Sequence, residues 1–164
     1  MAEGEDRTRG GLKAPPPPPL VGNHSKVIRR EPGKFEWKEV PLEPYKADAA
    51  EYKGITRREL VGKRGESMRF HVRYFEISPG GYSTLEKHEH EHVVIPMRGR
   101  GEAQAGCYIW SVGPGDVVYV SPSDPHQFRC PEDATEPFGF LCMVNAERDK
   151  PVAVEGLGVC HICE

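Results

Sequence analysis

Between residues 78 and 125 the chain is cut by turn-forming clusters: SPGG at 78–81, RGRG at 98–101, GPG at 113–115 and SPSDP at 121–125. Glycine supplies backbone angles closed to other residues and proline withholds an amide hydrogen, so both interrupt regular structure. No stretch of about a dozen residues shows a helical hydrophobic period, and the pieces between the turns are of strand length. The pattern predicts strands over Val27–Arg30, Phe35–Val40, Ile55–Val61, Met68–Ser78, Thr84–His88, His92–Arg98, Glu102–Ala105, Tyr108–Val112, Asp116–Val120, His126–Arg129 and Phe138–Val144. Many short strands between regular turns predict an all-β sandwich or barrel.

Two of those strand regions carry metal-binding chemistry, EKHEHEH at 86–92 and PHQF at 125–128. Side chains two apart on a strand share a face, so Glu86, His88, His90 and His92 can point the same way, with His126 arriving from another strand. Imidazole together with carboxylate suits a divalent first-row ion such as Fe, Mn, Ni, Cu or Zn. Three or four protein donors would leave positions open to a substrate.

The flanking residues give this region a frame. Gly80, Glu86, His88, His92 and Gly99 are followed by Gly115, Ser121, Ser123, His126 and Cys130. This spacing resembles that of the cupin superfamily over roughly residues 68–145. The first cupin motif reads Gly, five residues, His, one residue, His, three or four residues, Glu, six residues, Gly. On that frame Glu86 takes the first histidine position, His88 the second, His92 the glutamate position and His126 the histidine of the second motif. The ligand set is thus three His and one Glu with the carboxylate moved. Ser121, Ser123 and Cys130 stand where the second motif has Pro, Gly and Asn. The resemblance implies an all-β, double-stranded β-helix (jelly-roll) barrel holding one divalent transition ion.

Some roles stay open at this stage. Glu86 either binds the ion or accepts a hydrogen bond that orients a ligand histidine. His88 and His90 also satisfy a literal His-x-His pattern, but Gly99 fixes His92 at the third position, which leaves His90 on the rim, as a further ligand or as a proton shuttle. Phe128 is a candidate pocket wall and Tyr119 a candidate donor at the mouth. Arg98 shares the parity of His92 and either meets an anionic substrate or faces solvent.

The expected organisation is a proline-rich leader over 1–23, an N-terminal arm and strands over 24–67, the barrel over 68–150 and a tail over 151–164. Pro15 to Pro19 favour polyproline II in the leader. In small cupins an arm such as 43–60 commonly pairs with a partner subunit, so the resemblance implies a homodimer. Net charge is −3, which gives no electrostatic footprint for nucleic acid. Basic pairs such as Arg57-Arg58 read as solvated strand positions. No apolar run reaches membrane-spanning length and no secretory signal is evident, so a cytoplasmic protein without a membrane partner is expected. An odd count of five cysteines argues against a disulfide framework. Cys142 reads as a buried apolar residue, and Cys160, His161 and Cys163 as a frayed tail or a soft-metal chelator.

Function follows less directly than fold. The expectation is a metal-dependent enzyme acting on a small anionic or enolisable organic substrate, with dioxygenase-like chemistry preferred. The alternatives are a non-redox isomerase or lyase, or a small-ligand-binding protein without turnover.

Overall fold

In a computed structural model, residues 25–46, 51–66 and 69–155 are described. They contain no helix. The strands are β1 (Glu43–Pro44), β2 (Lys53–Val61), β3 (Phe70–Tyr82), β4 (Glu86–Lys87), β5 (His92–Arg98), β6 (Gly101–Ala105), β7 (Tyr108–Val112), β8 (Val118–Val120), β9 (His126–Arg129), β10 (Phe138–Asn145) and β11 (Val152–Ala153). Every pairing is antiparallel. The order β11-β4-β9-β3-β10-β5-β8 forms a continuous path, with β2 added on β3 and the β6–β7 hairpin added on β9. This curled sheet is the expected jelly-roll barrel. No helix among the described residues is long and apolar enough to cross a membrane.

Alternation along the strands divides inside from outside. On β5, His92, Val94 and Pro96 are buried, and on β10 so are Phe140, Cys142 and Val144. Strand β10 lies between β3 and β5, pairing Phe140 with both Phe75 and Pro96, and Cys142 with both Arg73 and Val94. Phe75, Phe128, Phe138 and Phe140 form the aromatic centre of the core, with Phe140 centroids 5.6, 5.1 and 5.1 Å from the other three. Burying each ring contributes about 2–3 kcal/mol. Phe138 reaches the centre because Gly101 faces it: a Cβ there would overlap the ring.

The described leading residues cover the outer face. Val40, Leu60 and Tyr74 form a second apolar cluster with Ile28, Phe35 and Trp37 packed on it. The strands predicted over 27–30 and 35–40 are absent, and only an Arg30–Trp37 bridge joins these segments. Their apolar side chains pack as irregular chain rather than as a sheet layer. SPGG does not end its strand either. β3 runs on to Tyr82, and its partner β2 steps from Ile77 to Tyr82 across a bulge that contains Gly80 at φ +71°. A glycine in a strand can mark a bulge as readily as a reversal.

Cys130 and Cys142 are free and buried. The leader, the Cys160–Cys163 segment and residues 47–50 lie outside the described residues.

Candidate metal centre

Three imidazoles meet inside the barrel. His88 follows β4, His92 opens β5 and His126 opens β9, where it stands opposite Glu86 in register. One donor atom from each of His88, His92 and His126 lies within 4.8 Å of the others, and all three residues are buried. The rings of His88 and His92 stack at 4.4 Å, and His126 meets both nearly edge-on, at 4.7 and 5.1 Å.

The outward nitrogens are already engaged. His88 Nδ1–H donates to the His90 carbonyl at 2.7 Å and His126 Nδ1–H to the Asp124 carbonyl at 2.9 Å. His92 Nδ1 lies 3.5 Å from Cys142 Sγ. Fixing the proton on Nδ1 leaves the Nε2 lone pair free to ligate. Indeed, the Nε2 atoms of His88 and His92 are buried without a hydrogen-bond partner. A buried polar atom left this way costs about 1–3 kcal/mol, and a metal ion held by these nitrogens would remove that cost. The donor set therefore fits a divalent metal ion.

Electrostatics points the same way. Burial, and then the neighbouring His126 and His90, push His88 down to about 4. Burial first, followed by His126 and His88, drives His92 far below the ordinary imidazole range. Burial likewise lowers His126. All three are neutral at pH 7, the form a metal requires.

Glu86 shares this cavity and is buried, but the group of donors within 4.8 Å of one another does not include it. Its carboxylate accepts a hydrogen bond from Lys46, a residue that strand reasoning did not single out. His90 is also buried. It stacks on His88 with centroids 3.6 Å apart, and its Nδ1 lies 2.7 Å from Asp149 Oδ1. His88, His90 and Asp149 make a second donor group that shares His88 with the first. Asp149 also accepts from the backbone N–H groups of Glu89 and His90, at 2.9 and 3.2 Å. The His90 hydrogen bond and then the Glu89 amide hold its carboxyl at about 2.

Phe128 lines the cavity, its ring edge-on to His126 at 6.4 Å. Tyr119 points outward, 57% exposed, and donates to Glu91 at 2.9 Å. Arg98 lies on the outer face, held by Glu76 and Glu136 at 3.1 Å each. Neither of these two lines the cavity that holds the imidazoles.

Arg57 corrects the reading of the Arg57-Arg58 pair as solvated. It lines the cavity together with Arg73 and Arg148. The signal was available in the period of two: Ile55, Arg57 and Glu59 share one face of β2, and Arg73 and Phe75 share the matching face of β3.

Residues 73–144 match the cupin domain family, and the chain belongs to the cupin family. It is 43% identical over 130 residues to a Rhodospirillum rubrum protein named 1-methylthio-D-xylulose 5-phosphate methylsulfurylase, covering 79% of this chain and 81% of that one. A cupin-2 domain structure from Rhodospirillum rubrum superposes with a TM-score of 0.68 at 43% identity, over 78% of this chain and 84% of that one. A cupin 2 conserved barrel protein from Rhodopseudomonas palustris gives 0.67 at 39% identity, over 79% and 86%.

Proposed function

We propose that this chain is a metal-dependent enzyme that acts on a small ketose phosphate carrying an alkylthio group beside its carbonyl, and passes that group to a thiol. The observation that carries the reading is the pair of buried, unpartnered Nε2 atoms of His88 and His92 beside His126, in a cavity that also holds several cationic side chains. The named relative, 43% identical, supplies the substrate class.

In the proposed reaction a thiolate attacks the alkylthio sulfur. The carbon–sulfur bond breaks with its electron pair passing into the adjacent carbonyl as an enolate. The enolate carbon then takes a proton, giving a methyl ketone and a mixed disulfide, so that carbon is reduced and the thiol sulfur oxidised. A divalent transition ion held by His88, His92 and His126, with Glu86 as the proposed fourth donor, would supply Lewis acidity at the carbonyl. The chain's own groups orient and protonate. Burial and the nearby Glu86 raise the Tyr45 hydroxyl well above its ordinary range, so it stays a neutral donor at the cavity wall. Lys46, hydrogen-bonded to Glu86, lines the cavity and is the proposed group that returns the proton. Phe75, Phe128 and Phe140 keep that wall apolar.

The test supplies metal-loaded protein, purified without a His-tag, with 1-methylthio-D-xylulose 5-phosphate and a dithiol. Proton NMR should show loss of the carbon-bound methylthio signal and gain of a methyl ketone. An intact carbon–sulfur bond after prolonged incubation with metal and thiol refutes the reading. The all-imidazole inner set also favours a second reading, activation of dioxygen by a redox ion, which requires oxygen uptake on substrate addition under the same conditions.

A homodimer is part of the proposal. Among the described residues, strand β7 pairs only with β6 and exposes Tyr108, Ile109 and Trp110 at 59, 60 and 45%. An apolar strand edge of this kind is a ready surface for a second copy.

A further inference from the structure

We propose that Arg73 and Arg148, assisted by the Nε–H of Arg57, form a subsite for a phosphate dianion on the cavity wall beside the imidazole cluster. The subsite deepens the reading of this cavity as a substrate site and rests on it.

Three observations carry the inference. First, three guanidinium groups line the same cavity as the imidazoles. Arg57 and Arg73 occupy inward positions of β2 and β3, and Arg148 comes from the segment after β10, at the mouth. Second, their charge is incompletely matched. Arg57 pairs with Glu43 at 2.8 Å through one Nη. Among the described residues, neither Arg73 nor Arg148 has a carboxylate oxygen within 4.0 Å. Arg73 instead donates to Cys142 Sγ at 3.3 Å and lies over the Phe75 ring at 5.2 Å, while Arg148 donates to the Asn145 carbonyl at 2.9 Å. The buried Glu59 behind them has Lys63 at 3.9 Å, and its Oε1, 3.2 Å from His71 Nδ1, is buried without a hydrogen-bond partner, so its single charge offsets part of theirs from beyond ion-pair distance. Third, the Nε–H groups of both Arg57 and Arg73 are buried without a hydrogen-bond partner.

Two guanidinium charges held close together repel. Burial first, and then Arg73, lower the affinity of Arg148 for its proton. A doubly charged phosphomonoester offsets both charges and offers three oxygens to the free N–H groups; a monoanionic carboxylate offsets one. Placement fits as well. Cys142 Sγ touches Arg73 on one side and His92 on the other. A phosphate on the guanidinium groups and a carbonyl at the imidazoles are therefore separated by a short carbon chain.

The test is calorimetric titration of the metal-loaded full chain with D-xylulose 5-phosphate, D-xylulose and inorganic phosphate, in the wild type and in Arg73→Met and Arg148→Met. The wild type should prefer the phosphorylated ketose by about 100-fold or more, since charge-assisted hydrogen bonds are the strong ones. Each variant should lose about 10-fold of that preference at unchanged metal content. Equal affinity for ketose and ketose phosphate in the wild type overturns the subsite, as does full preference in Arg148→Met. That variant changes an exposed residue after β10, so the test survives if Arg73→Met does not fold. The two readings fail separately. Metal-loaded protein without phosphate preference removes the subsite and leaves the metal reading. Protein that takes up no metal but still prefers the phosphate keeps the subsite and removes the metal.

Discussion

Substituting His90 and His92 separately by alanine should give opposite outcomes, and the geometry sets their sizes. His92 contributes a buried, unpartnered Nε2 that faces His88 and His126. His92→Ala deletes one of three imidazole donors, so metal affinity should fall by more than the roughly 10- to 100-fold typical of residues that only support a ligand. His90 differs because what it gives His88 is largely backbone. The 2.7 Å hydrogen bond that fixes the His88 tautomer ends on the His90 carbonyl oxygen, which alanine retains. The Glu89 and residue 90 amides also keep Asp149. His90→Ala removes the ring stacked on His88 and its own bond to Asp149, and should cost about 10-fold or less, near 1.4 kcal/mol. The assay is competitive titration against a chromophoric chelator, with metal content checked by mass spectrometry. Refutation would be His90→Ala stripping the ion while His92→Ala holds it, which would transfer the site to His88, His90 and Asp149.

Three further outcomes are expected. Lys46→Met should tighten metal binding several-fold by freeing the Glu86 carboxylate, and Glu86→Gln should weaken it; if both leave affinity unchanged, Glu86 is not a donor. The metal-free protein should lose stability as pH falls from about 6.5 toward 4, because the unfolded state then binds protons that the depressed native imidazoles refuse. For His88, at about 4, the loss reaches about 2 kcal/mol by pH 5, and a melting temperature equal at pH 5 and 7.5 would contradict it. Trp110→Glu with Ile109→Lys should convert a dimer to a folded monomer in sedimentation velocity, whereas an unchanged mass would show that β7 is not the contact.

The barrel was legible because its punctuation is local. The bounds of β5, β7 and β9 coincide with those predicted from alternation and turn residues, and the spacing from Gly80 to Gly99 picked out His88 and His92. What stayed hidden depends on contacts remote in sequence. Lys46 meets Glu86 from 40 residues away and Asp149 meets His90 from 59. No periodicity encodes either. Arg57 was misread for a different reason: a charged residue on the inward parity of a strand looks solvated until the barrel it lines is known to hold a polar cavity. The strand expected over 35–40 failed because Phe35 and Trp37 pack on Tyr74 without any sheet to join.

The placing of β10 between β3 and β5 also bears on when the ion can arrive. Strand β10 follows the other long strands in sequence, and it carries the Cys142 sulfur that touches His92. The Glu86–His126 pairing likewise closes a long loop. Topologies built from such distant pairings fold in milliseconds to seconds. An ion held by the three imidazoles would therefore bind after the strands that carry them have paired, instead of driving assembly as in a zinc finger. The nascent chain meanwhile carries its own competitor, because the run from His88 to His92 is a local chelator before any sheet forms. Ions bound there stabilise the unfolded chain as well, so excess metal should raise the melting temperature less than the affinity of the finished site alone would give.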